Sequence, residues 1–141
     1  MIAVDTNILI YAHRSGFAKH RAALNLLAKL FEGDDLWAIP VFCLSEFLRV
    51  MTHPAVLTPP DALESAVQAV RVLLRSESLR VLTPQDRFSY LLLEAVEQAD
   101  ARGNLLFDAQ IVAVCREHGV ETIWSNDQDM RRFQGIQVRS L

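Results

Sequence analysis

The sequence lacks any uninterrupted apolar stretch long enough to cross a bilayer. No run approaches the ~18 residues that a spanning helix needs, and no basic segment stands ahead of the first apolar run, Ile2–Val4. A signal peptide would show such a basic segment. We therefore expect a protein that is neither inserted in a membrane nor exported.

Cysteine, lysine and glycine are scarce, and each scarcity excludes a class of protein. The two cysteines, Cys43 and Cys115, lie in apolar helical patterns, which suits reduced thiols and predicts a cytoplasmic location. The 5 glycines form neither a P-loop nor a dinucleotide-binding fingerprint. Both lysines, Lys19 and Lys29, fall in one early helix, which argues against a receiver domain with its essential lysine.

The sequence also lacks a large excess of positive or negative charge. The net charge is -3 at pH 7, so no global positive field would draw in nucleic acid, and any phosphate contact must be local. With 51% hydrophobic and 22% charged residues in a chain of 141, intrinsic disorder is excluded and residues 1–141 are predicted to form a single domain.

Short apolar runs alternate with helical patterns along the whole chain. Strands are predicted at 2–4, 36–39, 79–82, 122–124 and, at a sheet edge, 137–139. Helical spacing predicts helices at 7–12, 17–31, 41–53, 61–75, 84–101 and 109–118, with a short helix or turn at 126–133. This order indicates an α/β fold with a mostly parallel sheet covered on both faces, and ligands of such sheets bind beyond the carboxyl ends of the strands.

Acidic residues stand in apolar surroundings at four places that the predicted sheet brings to this edge: Asp5, Glu46, Asp108 and Asp127. Three of them also have an ordinary structural explanation. Asp5 and Asp108 would serve as helix caps, and Glu46 would pair with Arg49. Carboxylates gathered at one edge repel one another unless a cation neutralises them. Ligation by oxygen alone suits Mg²⁺ or Mn²⁺ rather than Zn²⁺.

Several motifs together resemble the PIN-domain nucleases, and most of all the VapC toxins of type II toxin–antitoxin pairs. They are VDTNILIY at 4–11, LSEF at 44–47, FDAQI at 107–111, HG at 118–119 and WSNDQD at 124–129. The resemblance covers essentially the whole chain in order. It implies a PIN-like three-layer α/β/α sandwich with a short-stranded sheet and many helices.

The same resemblance implies the residues of the site. Asp5, Glu46, Asp108 and Asp127 correspond to the acidic, metal-binding and catalytic set of the family. Ser125 stands at the supporting hydroxyl position, and Asn7 matches a polar position near the metal. Asp129 is a secondary member, because the chain has Asp127-Gln128-Asp129-Met130 where the family often has Asp-x-Asp-Phe.

The function implied by the resemblance is a Mg²⁺-dependent endoribonuclease, with Mn²⁺ as a substitute, that hydrolyses RNA by metal-activated water. Arginines near the acids would contact RNA phosphates, and the candidates are Arg14, Arg49, Arg131 and Arg132. A VapB-type antitoxin and a homodimer are implied as partners. The alternative is a catalytically silent PIN-like domain that binds another protein.

Other acid-dependent enzymes fit the sequence less well. A haloacid-dehalogenase-type phosphatase needs a second Asp two residues after the first, and Asn7 occupies that place. Ser45 lacks the glycines of a nucleophile elbow. Glu94 and Glu97 share a helical face, but no histidine completes a di-iron motif.

Overall fold

Five short strands form one parallel sheet at the centre of the molecule. The computed structural model describes all residues, 1–141. The strands are β1 Ile2–Val4, β2 Trp37–Pro40, β3 Leu79–Leu82, β4 Thr122–Trp124 and β5 Gln137–Arg139. Their order across the sheet is β3-β2-β1-β4-β5. All five predicted strands are therefore confirmed, including the edge strand.

Six α-helices flank this sheet in the three-layer α/β/α arrangement expected of a PIN-like fold. They are α1 Thr6–His13, α2 His20–Glu32, α3 Val41–Thr52, α4 Leu63–Leu73, α5 Phe88–Ala99 and α6 Leu105–Glu117, followed by a 3-10 helix, Gln128–Arg132. Helix α1 packs on α2 and α3, α3 packs on α4, and α5 packs on α6. None of these helices is long and apolar enough to cross a membrane.

The chain reverses its direction of travel across the sheet at β1. It proceeds from β1 through β2 to β3 on one side, and then returns to place β4 and β5 on the other. Val4 and Trp124, the last residues of β1 and β4, are direct partners in the ladder. Residues that follow these two strands therefore meet at a switch point, which is where open α/β sheets bind ligands.

The core is built from the most apolar elements of the sequence. Every residue of β2 is buried, and so is the central part of α6, from Ile111 to Cys115. A helix that is apolar on all sides is buried on all sides. Cys43 and Cys115 are both buried and unpaired, as their apolar surroundings predict.

The two largest differences from the predicted helix starts, four residues each, are those of α6 and α5. Helix α6 begins at Leu105 rather than Ala109, because buried Leu105 extends the apolar face and Gly103, with φ +56, makes the turn before it. Helix α5 begins at Phe88 rather than Pro84. The Glu117 carboxylate accepts hydrogen bonds from the backbone N–H groups of Gln85 and Arg87, which holds this segment as a loop.

Candidate active site

Asp5 lies at the carboxyl end of β1 and is the most deeply placed acid of the molecule, with 4% of its surface exposed. Its Oδ1 accepts a hydrogen bond of 2.7 Å from the backbone N–H of Thr6, so it caps α1 as the structural explanation requires. Capping uses one oxygen only. The other oxygen, Oδ2, belongs to a second network.

That network joins the ends of β1 and β4. Ser125 is fully buried, and its Oγ donates a 2.6 Å hydrogen bond to Asp5 Oδ2. Asn7 Nδ2 donates to the same oxygen at 2.9 Å, and Asn7 Oδ1 accepts from the backbone N–H of Asn126 at 3.0 Å. The backbone N–H of Asp127 donates to Ser125 Oγ at 3.1 Å. Asn7 and Ser125 thus fix Asp5 and anchor Asp127 beside it.

Glu46 reaches the same place from α3. Thr6 Oγ1 donates a 2.9 Å hydrogen bond to Glu46 Oε2, which ties α3 to the start of α1. The side chain of Glu46 is 39% exposed, and Arg49 Nη2 lies 3.8 Å from its Oε1. The ion pair with Arg49 therefore forms, but at a length and exposure where such pairs contribute little.

Asp108 faces Glu46 across an open cavity of about 720 Å³ between α3 and α6. It lies in the first turn of α6 and does not cap it, since Asn104 occupies the cap position. Its predicted role as a helix cap is therefore wrong, although an acid in the first turn still interacts favourably with the helix dipole.

The pKa values show that these acids share one electrostatic environment. Burial and, to a smaller extent, the charges of Asp127, Asp5, Glu46 and Asp129 together raise the pKa of Asp108 to about 7. Burial also raises the pKa of Asp5, against the hydrogen bonds from Ser125 and Thr6, which lower it. The structure thus brings together all four acids predicted from the sequence, and Asp129 contributes to the same field.

Little positive charge compensates this cluster. The chain forms five ion pairs, and none involves Asp5, Asp108 or Asp127. Neutral donors surround Asp5 instead. Among them is the Cys43 thiol, which lies 3.7 Å from Asp5 Oδ1. Burial and then the Asp5 charge raise the pKa of this thiol well above its usual value.

Comparison with known proteins places the chain in a family. The model of the PIN domain matches residues 2–136. The chain belongs to the PIN-domain family. It is 32% identical over 139 residues to Ribonuclease VapC48 of Mycobacterium tuberculosis, which covers 96% of this chain and 93% of that relative. Ribonuclease VapC43 of the same organism is 33% identical over 139 residues, covering 99% and 94%.

Solved structures share the fold of this PIN domain. Mycobacterium tuberculosis VapC20, described as a sarcin-ricin loop cleaving toxin, superposes with a TM-score of 0.73 at 22% identity and covers 99% of both chains. Rickettsia felis VapBC2, solved with a DNA fragment from its promoter, gives a TM-score of 0.68 at 20% identity, with coverage of 99% and 98%. These likenesses confirm the α/β/α architecture.

The four acids of the PIN-domain site offer only oxygen atoms as metal ligands. That chemistry suits Mg²⁺ or Mn²⁺. No three Asp, Glu, His or Cys side chains are spaced so as to hold a metal ion by direct contact alone. Mg²⁺ usually keeps several waters and binds through one or two carboxylates, so a partly hydrated dication fits this donor set.

The four arginines predicted to contact RNA lie in different surroundings. Arg49 lines the cavity with Glu46 and Asp108. Arg14 follows the far end of α1, where it pairs with Asp61 at 3.6 Å. Arg131 donates to Ser140 Oγ, and Arg132 donates to the carbonyl of Ala99. Only Arg49 is brought into contact with the acids.

Sequence reasoning missed Thr6 and the role of Cys43. Thr6 links Asp5 to Glu46, and Cys43 contacts Asp5 from α3. Thr6 could have been found, because a hydroxyl directly after a strand-ending acid lies at the same sheet edge. The Cys43 contact depends on how α3 packs against α1, and no local pattern indicates it.

We expect the metal-free protein to lose stability as pH rises from about 4 to about 7. The folded state holds the Asp108 proton up to a pKa of about 7, whereas the usual value is 3.8. The folded state therefore binds this proton more tightly, and the stabilisation is present at low pH and lost as pH rises through 7. Asp108→Asn should flatten the decline in the free energy of unfolding, measured by urea denaturation across this range in EDTA.

The matched control is Asp35→Asn, at an exposed position in the loop before β2. It should leave the pH dependence as in the unmodified chain. An Asp108→Asn variant with the same decline would contradict the shared electrostatic environment.

Proposed function

We propose that this chain is a Mg²⁺-dependent endoribonuclease and the toxin of a type II toxin–antitoxin pair, with Mn²⁺ able to replace Mg²⁺. The observation that carries the proposal is the group of carboxylates at the switch point of the sheet, of which only Glu46 has a basic side chain paired with it. The names of the curated relatives, which are ribonucleases, support RNA as the substrate. The completeness of the acid set argues against a catalytically silent binding module.

Asp5, Glu46, Asp108 and Asp127 would hold the partly hydrated metal, one or two of them directly and the others through its bound waters. When bound, the ion supplies polarisation of the phosphoryl oxygens and a lower pKa for an attacking water. Ser125, Asn7 and Thr6 keep Asp5 in one orientation, which reduces the reorganisation required when substrate binds.

Of Asp5 and Asp127, Asp127 is the better placed to orient the water. Asp5 already accepts hydrogen bonds on both oxygens. Asp127 is exposed, and only its Oδ1 accepts a hydrogen bond from the chain, from the backbone N–H of Asp129. Its Oδ2 is therefore available to hold a water and take its proton. In-line attack by that water would leave a 5′-phosphate and a 3′-hydroxyl.

RNA must approach a negatively charged site, so positive groups have to offset the repulsion between its phosphates and the acids. Arg49, 61% exposed and next to Glu46, is the arginine that we assign to this task. Arg14, Arg131 and Arg132 would contact phosphates of the RNA strand farther from the acids, where that strand leaves the site.

The antitoxin would occupy an apolar groove of about 530 Å³ that runs between α1, α2, α3 and α4. Ten of its 13 lining residues are hydrophobic, and it is open to solvent at Leu24, Phe31 and Val72. Such a groove fits an amphipathic helix of a partner. Solved structures of the same fold include VapBC assemblies, which supports a VapB-type protein as the occupant.

A second copy of the chain would cover α5. This helix exposes Tyr90 at 77% and Leu93 at 61%, and large apolar side chains at such exposure are typical of an interface. We therefore propose a homodimer. A cytoplasmic location would suit its RNA substrate and its two unpaired thiols.

Replacing the central acids should abolish RNA cleavage. We expect Asp5→Asn and Asp108→Asn each to lower the cleavage rate by roughly 1,000-fold or more, because metal ions supply several kcal/mol of transition-state stabilisation. Ser125→Ala should cost about 10- to 100-fold, as expected when a group that orients a metal ligand is lost. The rate at which each variant cleaves total cellular RNA measures these effects, and sequencing of the new 5′ ends identifies the sites of cleavage.

Asp35→Asn serves as the control and should cleave RNA at the unmodified rate. EDTA should stop cleavage, and added Mg²⁺ or Mn²⁺ should restore it. Cleavage that persists in EDTA, or in a folded Asp5→Asn variant, would refute the proposal.

A charge placed in the apolar groove should prevent antitoxin binding. Leu24→Asp puts a carboxylate where a partner's apolar side chains would desolvate it, which should weaken binding by at least about tenfold. Leu36→Asp is the matched control, since Leu24 and Leu36 are both 48% exposed but only Leu24 lines the groove. Affinity for the proposed VapB-type antitoxin can be measured by calorimetry; equal affinity for both variants would contradict the assignment.

A further inference from the structure

The cavity between α3 and α6 contains recognition groups that the acid cluster does not use. Phe107 lines it with 61% of its surface exposed. This ring takes part in none of the aromatic pairs of the molecule, which join Tyr11 to Phe17, His13 to Phe47 and Phe42 to Phe88. An exposed, unpartnered aromatic ring next to a catalytic acid, Asp108, needs a reason other than core packing.

Polar groups around this ring are also unengaged. Asn104, at the cap of α6, and Gln110, within α6, line the same cavity, and neither side-chain amide forms a hydrogen bond within the chain. Amides of this kind can donate to and accept from the edge of a base. Arg49, on α3 across the cavity, offers a guanidinium to a phosphate.

The size and composition of the cavity fit one nucleotide. Its volume of about 720 Å³ falls in the ~300–1,000 Å³ range of small-ligand pockets. Single-stranded RNA is bound by stacking its splayed bases on aromatic rings, with amides at the base edges and cations at the phosphates. All three kinds of group are present here, around a ring that is already exposed.

We propose that Phe107 is the stacking platform for an unpaired base next to the scissile phosphate, with Asn104 and Gln110 at the base edge and Arg49 at the phosphate. The proposal rests on the ribonuclease function proposed above and adds a requirement that the substrate be single-stranded at this position. Phe107 is a substrate-binding residue and takes no part in the chemical step.

A fluorescence measurement tests the stacking without cleavage. In a chain carrying Asp5→Asn to prevent turnover, Phe107→Trp should be quenched by a short oligoadenylate RNA, because the base stacks on the indole. Inorganic polyphosphate, which has the charge without the bases, should not quench it. Leu74→Trp is the control: Leu74 is 50% exposed at the end of α4 and lies outside both the cavity and the apolar groove, so oligoadenylate should leave its emission unchanged.

Kinetics of the otherwise unmodified chain supply the second test. Phe107→Ala and Phe107→Leu should each raise KM for an RNA oligonucleotide spanning a mapped cleavage site by about tenfold, the usual effect of losing one base stack. Phe107→Tyr should retain the unmodified KM. A KM that is raised in Phe107→Ala and Phe107→Leu but unchanged in Phe107→Tyr distinguishes stacking from simple apolar contact.

Three results would overturn the proposal. The first is absence of oligoadenylate quenching in Phe107→Trp, or equal quenching by polyphosphate. The second is an unchanged KM in Phe107→Ala. The third is a smaller species of Phe107→Ala in sedimentation velocity, which would make this ring an interface between copies. If the unmodified chain cleaves no RNA, the proposed function fails, whereas the quenching experiment still reports on base stacking.

Discussion

A buried carboxylate without a cationic partner is the constraint on which the rest of this structure depends. Asp5 is almost fully buried at the end of β1, and a charge in that place is unfavourable unless other groups solvate it. The chain surrounds it with neutral donors from α1, α3 and the segment after β4. These donors hold the carboxylate in position but supply no positive charge, and the nearby acids Glu46 and Asp127 raise its pKa further.

The sequence predicts much of this because its signals are local. Strand ends followed by acids, as at Asp5 and Asp127, are visible in a single stretch of chain, and parallel strands must align them. The register between Val4 and Trp124 confirms this alignment. Helix starts are harder to predict, because the start of α6 depends on a turn at Gly103 and on whether Leu105 finds a place in the core.

Side chains that meet through packing could not be predicted in the same way. The contact of Cys43 with Asp5 and the hydrogen bond from Thr6 to Glu46 both require the mutual orientation of α1 and α3. The arginines show the same limit: Arg49 lies one helical turn from Glu46 and remains beside it, whereas the place of Arg14 depends on a distant loop residue, Asp61. Residues distant in sequence decide such contacts.

Helices α1 and α3 contribute to both proposed binding regions. Thr6 and Glu46 contact the acid site, and Leu9 and Phe47, from the same two helices, line the apolar groove. A partner bound in the groove would therefore rest on the elements that position the acids.

The most direct test of the central claim is a titration of the intact chain with Mn²⁺, in which electron paramagnetic resonance measures the concentration of free ion. Metal ligands must be deprotonated, and the pKa of Asp108 is about 7. We therefore predict saturable binding that is tighter at about pH 8 than at about pH 6 and is lost in Asp5→Asn. Absence of saturable binding, or binding that is unchanged in a folded Asp5→Asn variant, would contradict the account.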